Sequence, residues 1–201
     1  SSPAEYVAAK RSETNVTWPV TTNDFFPYAD GPHQFWTGYF TSRPALKGYV
    51  RTSSALFTAA RLLQSVAKDG SKDPLSELTT LEEAMGVTQH HDAVSGTAKQ
   101  HVAFDYARRL SNGVKEASSV ISSAMSGLNG PSSAKRRGGA APEYELCLRL
   151  NETVCAATSG VAPGGSVEIV LWNSLGHARS EVVTIPVSSS KPSDTLPRAV
   201  E

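Results

Sequence analysis

The sequence predicts an α+β chain of more than one domain, helical first and stranded towards its end. Three observations predict this. Apolar residues recur at helical spacing in three successive stretches between Arg43 and Leu128. After Tyr144 the period changes to two, most clearly over Val167–Trp172 and Glu181–Val187. Between these regimes lies Gly127–Pro142, rich in Gly, Ser and Pro and carrying Lys135-Arg136-Arg137, which is the composition of an exposed loop open to trypsin-like nicking. The 201 residues suffice for one ordinary domain or for parts of two or three, and 39% apolar with 19% charged residues is a folding composition.

Each element has its own local signal. Ser2 can cap a first helix, Pro3 sits where a missing N–H does no harm, and Glu5 can reach back to complete a capping box. These first residues lack the charged start and apolar stretch of a signal peptide. With no initiator Met, they lead to the expectation of a chain cut from something larger. Asn23–Phe40, dense in aromatics, Gly and Pro, reads as irregular structure. From Arg43, with Pro44 in the first turn, Leu46, Val50, Ser53, Leu56, Phe57, Ala60, Leu63 and Ala67 mark a helix that Gly70 ends. Asp73 and Pro74 open a second, through Leu75, Leu78, Leu81 and Met85 to Gly86. Thr97 with Gln100 forms the capping-box signature of a third, continuing through Val102, Tyr106, Leu110, Val114, Ala117, Ile121 and Leu128. Short connections between three amphipathic helices predict an antiparallel bundle. The strands that follow, with a turn at Asn173–Gly176, are too few to close a sheet. The β region is therefore expected to continue past Glu201 or to be completed by another chain.

Nineteen basic residues balance nineteen acidic ones, so no overall field attracts nucleic acid. No apolar run approaches the length needed to cross a bilayer, so no membrane partner is expected. Cys147 and Cys155 are too widely spaced, and too few, for a zinc ribbon. Alternation at Leu146, Leu148 and Leu150 suits a disulfide across a short hairpin, with two reduced thiols of a cytosolic protein as the alternative. Asn151-Glu152-Thr153 inside that loop, and Asn15-Val16-Thr17, are N-glycosylation acceptors.

Two clusters could carry chemistry. Gln89-His90-His91-Asp92 offers imidazole nitrogen and carboxylate oxygen, both zinc donors. Adjacent histidines cannot both face one metal from a regular helix, so a loop and one ligand are expected, although such a loop is by itself more often a solvated turn. Phe25–Asp30 and Phe35–Phe40 place aromatic faces among polar groups, which suits a pyranose ring. A hydrophobic corner is the plainer reading for most of these aromatics, with Trp36 the exception. His33 and His101 are isolated.

Three stretches, Asp24-Phe25-Phe26-Pro27-Tyr28-Ala29-Asp30, Phe35-Trp36-Thr37-Gly38-Tyr39-Phe40-Thr41-Ser42-Arg43-Pro44 and Gln89-His90-His91-Asp92-Ala93-Val94-Ser95-Gly96-Thr97-Ala98-Lys99-Gln100-His101-Val102, resemble the α-mannosidases of glycoside hydrolase family 38, in their lysosomal branch. The resemblance implies that residues 1–41 are the C-terminal end of an α/β barrel-like catalytic domain. Residues 42–129 would be an antiparallel three-helix bundle carrying the His-His-Asp loop, 130–143 an exposed loop, and 144–201 the start of a β-sandwich domain. It further implies a zinc-dependent, retaining exo-α-mannosidase that removes terminal α-mannose from N-linked oligosaccharides during glycoprotein degradation. In the family one zinc ion is held by a His-x-Asp pair, the nucleophilic Asp and the second histidine of the His-His-Asp motif. Carried over, His91 is the metal ligand, Asp92 hydrogen-bonds mannose hydroxyls, Trp36 lines the sugar pocket and His90 borders it. The nucleophile and the general acid lie upstream in the family, so no catalytic residue is expected on this chain. The implied partners are mannose-containing oligosaccharides and the upstream and downstream segments of the same enzyme, with a homodimer left open. The implied compartment is the lysosome, with vacuole or exterior as alternatives. A secreted, non-catalytic carbohydrate-binding relative is the rival from another class, and a metal-dependent amidohydrolase is disfavoured by the resemblance.

Overall fold

Helix α1, Pro3–Arg11, forms as its first residues dictate: the Ser2 hydroxyl accepts from the Glu5 N–H at 3.2 Å, and the Glu5 carboxylate accepts from the Ser2 N–H at 2.6 Å. The reciprocal pair satisfies two of the donors that a helix start leaves open. The computed structural model describes residues 2–67, 76–128, 143–148, 155–162 and 165–186. The expected stops and starts at Gly70, Asp73 and Pro74, the Lys135-Arg136-Arg137 loop, Leu150 and the Asn151 acceptor lie outside the described residues. The chain divides into two compact units, 1–41 and 42–201.

In the first unit α1 is followed by irregular chain and a 3₁₀ turn, Thr37–Phe40. An isolated bridge pairs Ala29 with Phe35, and the Trp36 N–H donates to the Tyr28 carbonyl at 2.8 Å. This small closure gathers aromatics at tilted angles, with Tyr28 and Trp36 centroids 5.9 Å apart and Tyr39 and Phe40 4.6 Å apart. None of the described residues of this unit is buried, so the hydrophobic-corner reading of the aromatics gives way to an exposed cluster.

The second unit is built on three helices, α2 (Pro44–Ala67), α3 (Thr79–Thr88, preceded by a 3₁₀ turn at Ser76–Leu78) and α4 (Gln100–Leu128). Their buried residues follow the predicted stripe. Val50, Ala84 and Leu110 form one layer, and Ala60, Leu78, Leu81, Val114, Ala117 and Val120 the next. Rising numbers on α2 meet rising numbers on α4 and falling numbers on α3, so the helices run up, down, up. Leu63, Leu78, Leu81 and Leu110 are fully buried, each contributing about 1.5–3 kcal/mol relative to exposure. At Gly113 the backbones of α3 and α4 touch: a Cβ there would lie 2.5 Å from Leu81 Cα.

Three local expectations need correction. Gly86 does not end α3, because the helix continues two residues further to Thr88, whose buried hydroxyl donates to the Met85 carbonyl at 3.1 Å. The Thr97–Gln100 capping box is not made, since Thr97 donates to Asp92 and Gln100 accepts from Arg43. The predicted strands do not form a ladder among the described residues: neither 165–172 nor 181–186 is strand, and the start of a β-sandwich is not seen there. Alternation marks which face a strand would bury, but a ladder also needs a neighbour for its N–H and C=O groups. Val182 is 97% and Leu171 66% exposed accordingly. Cys147 and Cys155 are joined by a disulfide, so the reduced-thiol alternative falls. A short helix follows it, α5 (Ala156–Ser159), and its Thr158 hydroxyl lies within hydrogen-bond reach of the Cys155 and Pro186 carbonyls. Among the described residues no helix is long and apolar enough to cross a membrane.

Candidate functional site

The loop between α3 and α4 carries the polar cluster, and its shape follows from successive tight turns. The His90 N–H donates to Val87, Ala93 to His90, and Gly96 to Ala93, each to a backbone carbonyl at 2.9–3.1 Å. The Asp92 carbonyl then accepts from both the Thr97 and Ala98 N–H groups, at 3.2 and 3.1 Å, which closes the loop on itself. Gly96 makes the reversal, with φ at +74° in the left-handed region. A Cβ there would meet the Ser42 carbonyl oxygen at 2.7 Å, so only glycine fits on both counts.

The loop is fastened to the N-terminal end of α2. The Ser42 hydroxyl and the Lys47 ammonium both donate to the Ser95 carbonyl at 2.6 Å, and Lys47 also reaches the Ser42 carbonyl at 2.8 Å. Burial lowers the pKa of this ammonium. Arg43, itself held at φ +47°, donates to the Ala98 carbonyl at 2.9 Å and to the Gln100 side chain at 2.6 Å. Ala93 is buried, and Val94 packs on the Val50–Ala84–Leu110 layer. Apolar and charged contacts thus both hold the loop.

So mounted, the loop gathers three donors. The ring nitrogens of His90 and His91 and a carboxylate oxygen of Asp92 lie within 4.8 Å of one another, the group among the described residues that could hold a metal ion. Asp92 Oδ2 is 3.5 Å from His90 Nε2 and 3.4 Å from His91 Nε2. Consecutive turns bring both rings to the carboxylate side. Two imidazoles and a carboxylate are a donor set that zinc accepts. The His91 side chain is 84% exposed, with room for further ligands from elsewhere. A hydrogen bond from Thr97 Oγ1 to Asp92 Oδ1, at 2.6 Å, holds the Asp92 carboxyl below its ordinary pKa, and the neighbouring His91 and His90 act in the same direction. Asp92 is thereby kept ionised, an acceptor for hydroxyls or metal.

Of the other residues singled out, Trp36 lies in the first unit, 53% exposed beside Tyr28. Asn15 is exposed in a turn after α1, where an acceptor asparagine must be. Ser42, Arg43, Lys47 and Ser95 were not assigned roles from the sequence, and Thr97 only that of a helix cap. One signal was available: two cations at the N-terminal end of a helix oppose its macrodipole, which implies acceptors from another segment.

Residues 34–128 match the family model described as the α-mannosidase middle domain. The chain is 45% identical over 190 residues to an α-mannosidase of Arabidopsis thaliana, covering 94% of this chain and 18% of the relative. It is 40% identical over 195 residues to a lysosomal α-mannosidase of Dictyostelium discoideum, covering 93% and 19%. It is 41% identical over 195 residues to the lysosomal α-mannosidase of Homo sapiens, covering 94% and 18%. The chain spans about a fifth of the length of these curated relatives.

Proposed function

Since this chain belongs to the α-mannosidases of glycoside hydrolase family 38, as a middle segment, we propose that it is the part of a zinc-dependent retaining exo-α-mannosidase that supplies one metal ligand and part of the mannose-binding surface. The convergence of His90, His91 and Asp92 in one anchored loop is the observation that carries this reading. His91, the more exposed imidazole, is the metal ligand. Held there, zinc would supply a Lewis-acid centre for the hydroxyls of the sugar. Asp92, ionised and tied by one oxygen to Thr97, accepts hydrogen bonds from mannose hydroxyls with the other. His90 borders that acceptor. Trp36 offers an exposed indole face to the apolar side of a pyranose.

The chemistry itself belongs to two carboxyl groups outside this sequence, one attacking the anomeric carbon and one protonating the leaving oxygen, which retention requires about 5–5.5 Å apart. The substrates are terminal α-mannosides of N-linked oligosaccharides and the compartment is lysosomal or vacuolar, in line with the names of the relatives. A carboxylate kept below the ordinary range suits an acidic compartment, where an unassisted one would begin to protonate.

The test is His91→Ala in the full-length protein. Zinc content should fall, and hydrolysis of an aryl α-mannoside should drop by at least about a hundredfold as the ligand is lost. Normal zinc and a normal rate in that variant would defeat the assignment.

A further inference from the structure

Two different bonds tie Thr97 to Asp92. Its N–H donates to the Asp92 carbonyl at 3.2 Å, and its hydroxyl donates to Asp92 Oδ1 at 2.6 Å. The second bond serves no core, for both side chains face solvent. Its effect is orientational. A carboxylate on an exposed turn samples a broad torsion about its terminal bond, and a hydroxyl on one oxygen removes that freedom. The hydroxyl is itself well placed, since a β-branched side chain has few χ1 wells, and Ser95 Oγ lies 3.0 Å from it. Ser95 Oγ in turn donates to the His91 carbonyl. The left-handed turn at Gly96 returns residue 97 onto residue 92 and makes all of this attainable. With Oδ1 engaged, Oδ2 is left on the side of the two imidazoles.

We propose that Thr97 is a positioning residue for the Asp92 carboxylate, fixing which oxygen is offered to the hydroxyls of a mannose-class sugar. The inference rests on the reading of Asp92 as a sugar-binding group. Ser95 Oγ lies beside the same hydroxyl but gives its proton to the His91 carbonyl, so the bond that orients the carboxylate is the one from Thr97 alone.

The experiment uses the full-length, zinc-loaded protein. Thr97→Val keeps the shape and removes the hydroxyl. Its affinity for methyl α-mannoside, measured by calorimetry, and its kcat/KM on an aryl α-mannoside should each fall by at least about tenfold, with zinc content unchanged. Thr97→Ser should restore both to within about threefold of the parent. In an Asp92→Ala background Thr97→Val should cause no further loss, because residue 97 acts through residue 92. Parental affinity in Thr97→Val, a Thr97→Ser variant no better than Thr97→Val, or additive losses in the double variant would each overturn the proposal. Loss of zinc together with affinity would overturn it too, by making Thr97 a support of the whole loop. A large loss in Asp92→Ala beside a neutral Thr97→Val removes the positioning role alone. Full affinity in Asp92→Ala removes the functional reading of Asp92 and this inference with it.

Discussion

At Gly96 the loop can tolerate no side chain. Its positive φ and the 2.7 Å approach to the Ser42 carbonyl act together, and the second is with backbone, which cannot swing away. Gly96→Ala is expected to destabilise the second unit by about 1–3 kcal/mol, read from denaturant midpoints. It should also lower zinc content, because the chain reversal that gathers the donors is disturbed. An unchanged midpoint would mean that the loop does not sit against Ser42. At this scale the sequence was legible where the chemistry was contiguous. His90, His91 and Asp92 announce themselves by adjacency, and the turn brings their donors together. Arg43 and Lys47 did not, because most of their partners are main-chain carbonyls of Ser42, Ser95 and Ala98, which leave no trace in residue type. The Thr97 and Gln100 side chains misled for the reverse reason. They have the right spacing for a cap, but Asp92 and Arg43 are better partners, one an anion and the other a cation.

The helices were the most readable elements, since burial repeats along them at a period the sequence shares. Leu46 to Ala67 and Val102 to Leu128 fall inside α2 and α4. What periodicity could not give is the tightness of the crossing. Gly113, a poor helix former in mid-helix, is explained by its contact with the Leu81 backbone. Gly113→Ala gains about 1 kcal/mol of helix propensity. It also forces two main chains apart, and overpacking costs about 1–3 kcal/mol. The clash is with Cα rather than a flexible side-chain end, so the loss should win, and thermal denaturation should show a lower Tm. A raised Tm would mean that α3 and α4 are not in contact there. The strands were misread in a different way. Alternation at Val167–Trp172 specifies a face, whereas a strand is defined by its neighbours, and none of the described residues supplies one.

For the whole molecule, the first unit carries the aromatic cluster with Trp36 and the second carries the donor loop. Neither holds a full zinc shell among the described residues, where His90, His91 and Asp92 are the group that could bind metal. The 201-residue chain alone is therefore expected to hydrolyse no aryl α-mannoside and to bind zinc weakly, as assayed by turnover and by metal titration. Zinc-dependent hydrolysis by this chain would show that the acting carboxyl groups are on it. The way α2 grips the loop has a consequence for its variation. Lys47, Ser42 and Arg43 hold two main-chain oxygens of the loop, on Ser95 and Ala98, and those oxygens are present whatever side chain the residue bears. Ala98 can therefore drift, and the rim of the loop can acquire new contacts, without loosening the mounting beneath it. Contacts along that rim can be rewritten one substitution at a time, while the donors stay where they are.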